Sequence, residues 1–150
     1  LDLSPRLREL DRSIEKVEIG LRNEIVTTLN DDTLKIPQHL KQKVNERIQR
    51  ASQNNPAFDF EKYQKFSGMI EFFDLRDLEA TMASKLLWPE FQDKFYNKEI
   101  LVQKFNQLAE LRNTIRHSRS IDEIVRKEGE AAIIWFNKVL NIKNIYPEEL

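Results

Sequence analysis

An all-α fold follows from three features of the sequence. Apolar residues recur three and four apart over several long windows. No segment sustains the polar/apolar alternation of a strand, and the 150 residues hold only 3 Gly and 5 Pro. The expected architecture is a helical bundle of four to five main helices. The length fits one domain over residues 1–150.

Ser4-Pro5 opens the first helix, since Ser caps well and Pro suits the first turn. Leu7, Leu10, Ile14, Val17, Leu21, Ile25 and Leu29 then form one stripe over about seven turns. Asn30-Asp31-Asp32 ends it. Gly20 sits inside this helix at a cost of about 1 kcal/mol relative to Ala, so a close approach by another helix, of this chain or of a partner, is expected there. Pro37 starts a second helix with Leu40, Val44, Ile48 and Ala51 inward, and Ser52 to Pro56 stops it. Phe58 to Phe73 is aromatic-rich with mixed periodicity, which predicts a short helix plus an extended turn. Asp74 caps the next helix, with Leu75, Leu78 and Met82 inward, and Pro89 breaks or restarts it before Phe91 and Phe95.

Asn97 caps a long helix whose stripe is Ile100, Leu101, Phe105, Leu108, Leu111 and Ile115. Ser118 to Ser120 breaks it, and Ser120-Ile-Asp-Glu123 fits a capping box. The last helix carries Ile121, Ile124, Val125, Ala132, Trp135, Phe136 and Val139 to about Asn141.

Composition excludes several functional classes. There is no Cys, hence no disulfide, no thiolate metal site and no thiol nucleophile. With two His, a His-only metal site within one chain is not expected. The net charge of −1 argues against a general nucleic-acid coat and leaves room for a local basic face. The longest apolar run, Ala131 to Phe136, is far short of the roughly 20 residues that span a bilayer, so no membrane partner is expected. The start lacks the basic and apolar segments of a secretory signal, and a cytoplasmic location is expected. It also lacks an initiator Met, so the chain reads as a domain of a larger protein.

The most informative segment is Leu108 to Arg119. At about 100° per residue and with Arg112 at zero, Arg116 lies at about 40°, Asn113 at about 100° and His117 at about 140°. Those four residues are expected to form one polar face beside the buried stripe. Arg112, Arg116 and Arg119 fall within eight residues that include no acid, the densest uncompensated basic run of the chain. That chemistry suits RNA cleavage. A His transfers protons near neutral pH, and an Arg fork binds phosphate and the charge that develops on it. No metal is required when a 2′-OH is the nucleophile. A plainer account also exists, since cations near a helix C-terminus complement its dipole.

Leu-Arg112-Asn113-x-x-x-His117 near the end of a long helix resembles the HEPN superfamily (higher eukaryotes and prokaryotes nucleotide-binding), whose motif is Arg, a polar residue that is often Asn, and a His at R-x4-6-H. The wider resemblance is to its Swt1-type branch. It rests on Ile14 to Leu29, on Phe73 to Leu78, on Trp88-Pro-Glu-Phe91 and on Leu108 to Asp122, and covers most of residues 10–140. The resemblance implies a helical bundle that dimerises with its motif helices close together. It also implies a metal-independent endoribonuclease of toxin–antitoxin, phage-defence or RNA-processing systems, with a composite site taking an Arg and a His from each chain.

Carried over, Arg112 binds or polarises the scissile phosphate, His117 is general acid/base, and Asn113 orients the His or binds phosphate. Arg116 and Arg119 join them as phosphate-binding residues by position and charge. Where a branch paired with nucleotidyltransferase antitoxins carries a Tyr two residues after the His, this chain has Arg119, so regulation by nucleotidylation there is not implied. Other members only bind nucleotide or RNA, or dimerise a larger protein, and that is the alternative function.

Glu18 and Arg22, four apart on the first helix, can pair and are the expected supporting residues of the site. Glu71, Asp74, Asp77 and Glu79 could hold Mg²⁺, but a helix cap explains them without metal. The aromatics of 58–73 are expected in the core rather than as base-stacking platforms. Trp135 and Phe136 adjoin an apolar run expected to lie partly at a dimer interface. RNA, a second copy of the chain and an antitoxin or partner domain are the expected partners; no cofactor is.

Overall fold

The computed structural model describes residues 4–117 and 120–143. Among them it is all-helical, with seven α-helices: α1 (Pro5–Thr28), α2 (Gln38–Gln53), α3 (Phe66–Met69), α4 (Leu75–Ala83), α5 (Trp88–Phe95), α6 (Lys98–His117) and α7 (Glu123–Leu140). The count exceeds the four to five expected because the stretch after Phe58 breaks into short pieces. Three-residue and five-residue 3₁₀ turns lie at Thr33–Lys35, Phe60–Gln64 and Ile70–Phe72. The chain divides into two compact units. One is built from the described residues of 1–21 and 97–150, the other from Arg22–Tyr96.

Helix starts follow local chemistry. Ser4 Oγ accepts the Leu7 N–H at 3.2 Å, and Asn97 Oδ1 accepts the Ile100 N–H at 3.0 Å. Asp74 and Asp77 form a reciprocal capping box that opens α4. After α1, Asn30 and Asp31 take left-handed backbone at φ 56° and 53°, a conformation their short polar side chains tolerate. The start of α7 differs from expectation. Asp122, not Ser120, is the N-cap, and its carboxylate accepts from the Ile124 and Val125 N–H groups. A carboxylate two residues later offers the same capping chemistry, so the helix starts there.

In the first unit, Leu10, Ile14, Val17 and Leu21 of α1, Leu101, Phe105, Leu108, Leu111 and Ile115 of α6, and Ala132, Ile133 and Phe136 of α7 are buried. Helices α6 and α7 pack tightly at Gly129, where an added Cβ would meet Leu111 Cβ at 2.6 Å. The Phe105 and Phe136 rings stand edge to face with centroids 5.2 Å apart. Gly20 has the close neighbour expected of it. It is Ile142, just past α7, whose Cδ1 would lie 2.6 Å from an added Cβ. Ile100 and Ile124 are exposed rather than inward, because the buried stripe begins at the next residue, Leu101, in α6 and more than a turn later, at Gly129, in α7.

In the second unit, Ile25 and Leu29 of α1 and Leu40, Val44 and Ile48 of α2 are buried with Phe66, Met69, Ile70 and Phe73. Phe66 and Phe73 are therefore core residues, as expected of the aromatic stretch. Phe58 stacks on Tyr63 at 4.7 Å, and Phe72 meets Tyr63 edge-on at 5.3 Å. Gly68 lies so close to the preceding turn that a Cβ there would fall on the Lys62 carbonyl oxygen.

Candidate functional site

The site candidates sit in the first unit, on the last two turns of α6. The expected single polar face is split in two. Asn113 and His117 face solvent. Arg112 turns inward instead. Its angular position lies between those of Leu101 and Phe105, which are both buried, so its side chain is drawn along the core and stays only 26% exposed. Its Nε stands 3.0 Å from Glu18 Oε1 of α1. Both atoms are buried, and they meet without hydrogen-bond geometry. Arg116 Nη2 lies 3.8 Å from Asp11 Oδ1, also on α1, in a longer and more exposed pair.

These two rungs make α1 and α6 antiparallel. Asp11 is the residue that the sequence did not single out. Its spacing from Glu18, seven residues on the same side of α1, is the signal that could have found it. Glu18, an expected supporting residue, lies beside Arg112, 94 positions away in sequence. Arg22 belongs to the second unit, where its guanidinium donates to the Ile70 carbonyl at 3.2 Å and the Phe73 carbonyl at 3.0 Å. It holds the Ile70–Phe72 3₁₀ turn and the residue that follows it. Arg119 lies outside the described residues.

The acidic cluster is consumed by structure. Asp77, 2% exposed at its side chain, accepts from Arg47 at 2.6 Å, from Lys43 at 3.1 Å and from the Asp74 N–H at 2.9 Å. Burial pushes the Asp77 pKa up. The Arg47 hydrogen bond, the Asp74 N–H, Lys43 and the Arg47 charge outweigh it and hold the carboxyl below its usual value. Arg47 also donates to the Phe72 carbonyl at 2.7 Å. Glu79 pairs with Arg76 and Glu71 with Lys62. Among the described residues, no three His, Asp or Glu side chains form a group able to hold a metal ion. No helix of the described residues is long and apolar enough to cross a membrane.

Comparison with known protein families, with curated proteins and with solved structures finds no match to this chain. The arrangement on α6 therefore has to be judged on its own chemistry. A solvent-facing imidazole and carboxamide stand on the same two turns as two guanidinium groups, each held by a carboxylate of α1. Such a set can transfer a proton and bind an oxyanion, provided the oxyanion competes with the carboxylates for the guanidinium groups.

Proposed function

We propose that the chain is a HEPN-type helical domain that acts as a metal-independent endoribonuclease in a toxin, phage-defence or RNA-processing setting. The observation that supports this most is the clustering of Arg112, Asn113, Arg116 and His117 on the last two turns of α6, with His117 and Asn113 facing solvent. In this reading His117 takes the proton of a ribose 2′-OH as its oxygen attacks phosphorus. The bond from phosphorus to the 5′ oxygen breaks, and that oxygen leaves with a proton from an imidazolium. The products are a 2′,3′-cyclic phosphate and a 5′-OH. Arg112 stabilises the charge on the phosphoryl oxygens, Asn113 orients the His or the phosphate, and Arg116 with Arg119 holds adjoining phosphate. The reading includes a homodimer through the motif helices, so that each site combines residues of two chains, and an antitoxin or partner domain that restrains it.

The test is cleavage of structured and single-stranded RNA in EDTA, with analysis of product ends. Cyclic-phosphate ends from the natural chain, lowered about 10²–10⁴-fold in His117→Ala and also lost in Arg112→Ala, would establish it. A folded, dimeric chain that cleaves nothing would overturn it.

One observation favours a second reading, a non-catalytic HEPN module that binds nucleotide or RNA. Glu18 stands 3.0 Å from Arg112, so that a carboxylate already offsets the charge that a transition state would call on. Here RNA binding would survive His117→Ala and fall in Arg112→Ala, with no cleavage by either.

A further inference from the structure

Among the described cations of the first unit, Arg6, Arg112, Arg116, Arg126 and Lys127 each stand within ion-pair distance of a carboxylate. Lys98, Lys104, Lys138 and Lys143 do not, but they are scattered over two helices and a helix end. Arg8, Arg12 and Lys16 also do not pair with any carboxylate among the described residues, and all three are exposed on one helix. They follow one another at four-residue intervals on α1, about 6 Å apart along its axis. Repulsion between like charges at this spacing is mildly destabilising to a helix, so the fold itself gains nothing from the row.

The position of the row is set by the rungs already described. Asp11 and Glu18 mark the side of α1 that faces α6. Arg8, Arg12 and Lys16 lie about 60°, 100° and 140° further round the helix, on the side opposite the buried Leu10 and Val17. Because α1 and α6 run antiparallel, Arg12 and Lys16 sit at the levels of Arg116 and Arg112. Two acids border this outer arc: exposed Glu15, and Glu9, which pairs with Arg6 at 3.3 Å. The row is thus a strip of unneutralised positive charge running beside the candidate site, in a chain whose net charge is −1.

We propose that Arg8, Arg12 and Lys16 form a track for the phosphodiester backbone of single-stranded RNA, holding the nucleotides that flank the bond at His117. The inference rests on the ribonuclease reading for what lies at the end of the track. The track itself is judged by binding. Each phosphate neutralised on a single strand contributes about 0.7 to the slope of log affinity against log salt, so three contacts supply about 2.

The experiment measures fluorescence anisotropy of a labelled single-stranded oligoribonucleotide in EDTA, over a salt series. The protein is the whole chain carrying His117→Ala, which prevents turnover. The test variant adds Arg8→Glu, Arg12→Glu and Lys16→Glu. A control variant adds Arg50→Glu, Lys65→Glu and Lys85→Glu, three exposed cations of the second unit, and so makes the same change in net charge. Thermal melting confirms that both variants fold.

The track predicts that the test variant weakens binding at least about tenfold and flattens the salt slope by about 2, with the control moving far less. Equal effects from both variants would reduce the result to bulk charge and overturn the track, as would an unchanged test variant or a natural chain that does not bind RNA. Cleavage of a dinucleotide, too short to span the row from Arg8 to Lys16, is read separately in chains with His117 intact. If it persists in the test variant while anisotropy is unchanged, the ribonuclease reading stands and the track falls. If nothing is cleaved but the anisotropy result holds, the track stands and the ribonuclease reading falls.

Discussion

The two units use the same chemical pair, a carboxylate and a guanidinium, to different ends. In the second unit Asp77 is buried and fully engaged, accepting from Arg47, Lys43 and the Asp74 N–H at 2.6–3.1 Å. In the first unit Glu18 and Arg112 approach to 3.0 Å, yet the two facing atoms do not form a hydrogen bond. A charge taken out of water is stabilising only when its hydrogen-bonding capacity is met. The Asp77 cluster meets that condition and reads as structure. The Glu18–Arg112 rung leaves donor capacity on Arg112 for something else, which is what a ligand-binding arginine needs.

The largest test of this contrast is the stability of Asp77→Asn. Removing the charge while keeping the shape weakens two charge-assisted hydrogen bonds, each worth about 1.5–3 kcal/mol. A loss of about 2–3 kcal/mol is expected in urea denaturation. A loss below about 0.5 kcal/mol would show that the cluster is no better built than the α1–α6 rungs.

Acid sharpens the same point. The folded-state pKa of Asp77 is depressed, so its ionised form favours the fold. Its contribution is complete above the unfolded value of about 3.9 and disappears as pH falls through the lower folded value. Stability should therefore decline below about pH 4, and Asp77→Asn should flatten that decline. An unchanged acid limb in the variant would assign the decline to other carboxylates.

A smaller effect is expected at Glu18→Gln. The pair is partly exposed and lacks hydrogen-bond geometry at its closest approach, so the stability change should stay under about 1 kcal/mol. Arg112 would then lose its competing anion, and affinity for inorganic phosphate or RNA should rise by about two- to fivefold, measured by titration at low salt. Destabilisation as large as that of Asp77→Asn would erase the distinction between the units.

The smallest effect belongs to Gly20→Ala. Helix propensity gains up to about 1 kcal/mol. The new methyl would press on Ile142 Cδ1, the end of a flexible side chain, and displacing it offsets that gain. A net change within about 1 kcal/mol in a thermal melt is expected. A much larger loss would mean that α1 and the end of α7 cannot shift.

Elements governed by near neighbours were legible in the sequence. Ser4, Asp74 and Asn97 open helices because a cap's side chain bonds within its own first turn, Pro37 opens α2 through its restricted φ without a side-chain bond, and the Asn30-Asp31 stop needs only local backbone. Ser120 misled because two capping residues compete two positions apart and the sequence does not rank them. The α6 residues were legible as a set, and their division only in part. Arg112 lies between the angular positions of buried Leu101 and Phe105, which the sequence displays, but its approach to Glu18, 94 positions earlier, has no local sign. Arg47 joins Asp77 across 30 positions with no local sign of it.

Gly68 carries a consequence for how this chain can vary. Any side chain there must place its first carbon on the Lys62 carbonyl oxygen, which belongs to the backbone and cannot rotate away. In a library holding every substitution at every position, tolerance at 68 should fall to glycine alone, whereas Gly20 should accept alanine. An inherited change at codon 68 would act by removing the folded protein, not by altering its chemistry, and raising its expression would restore little.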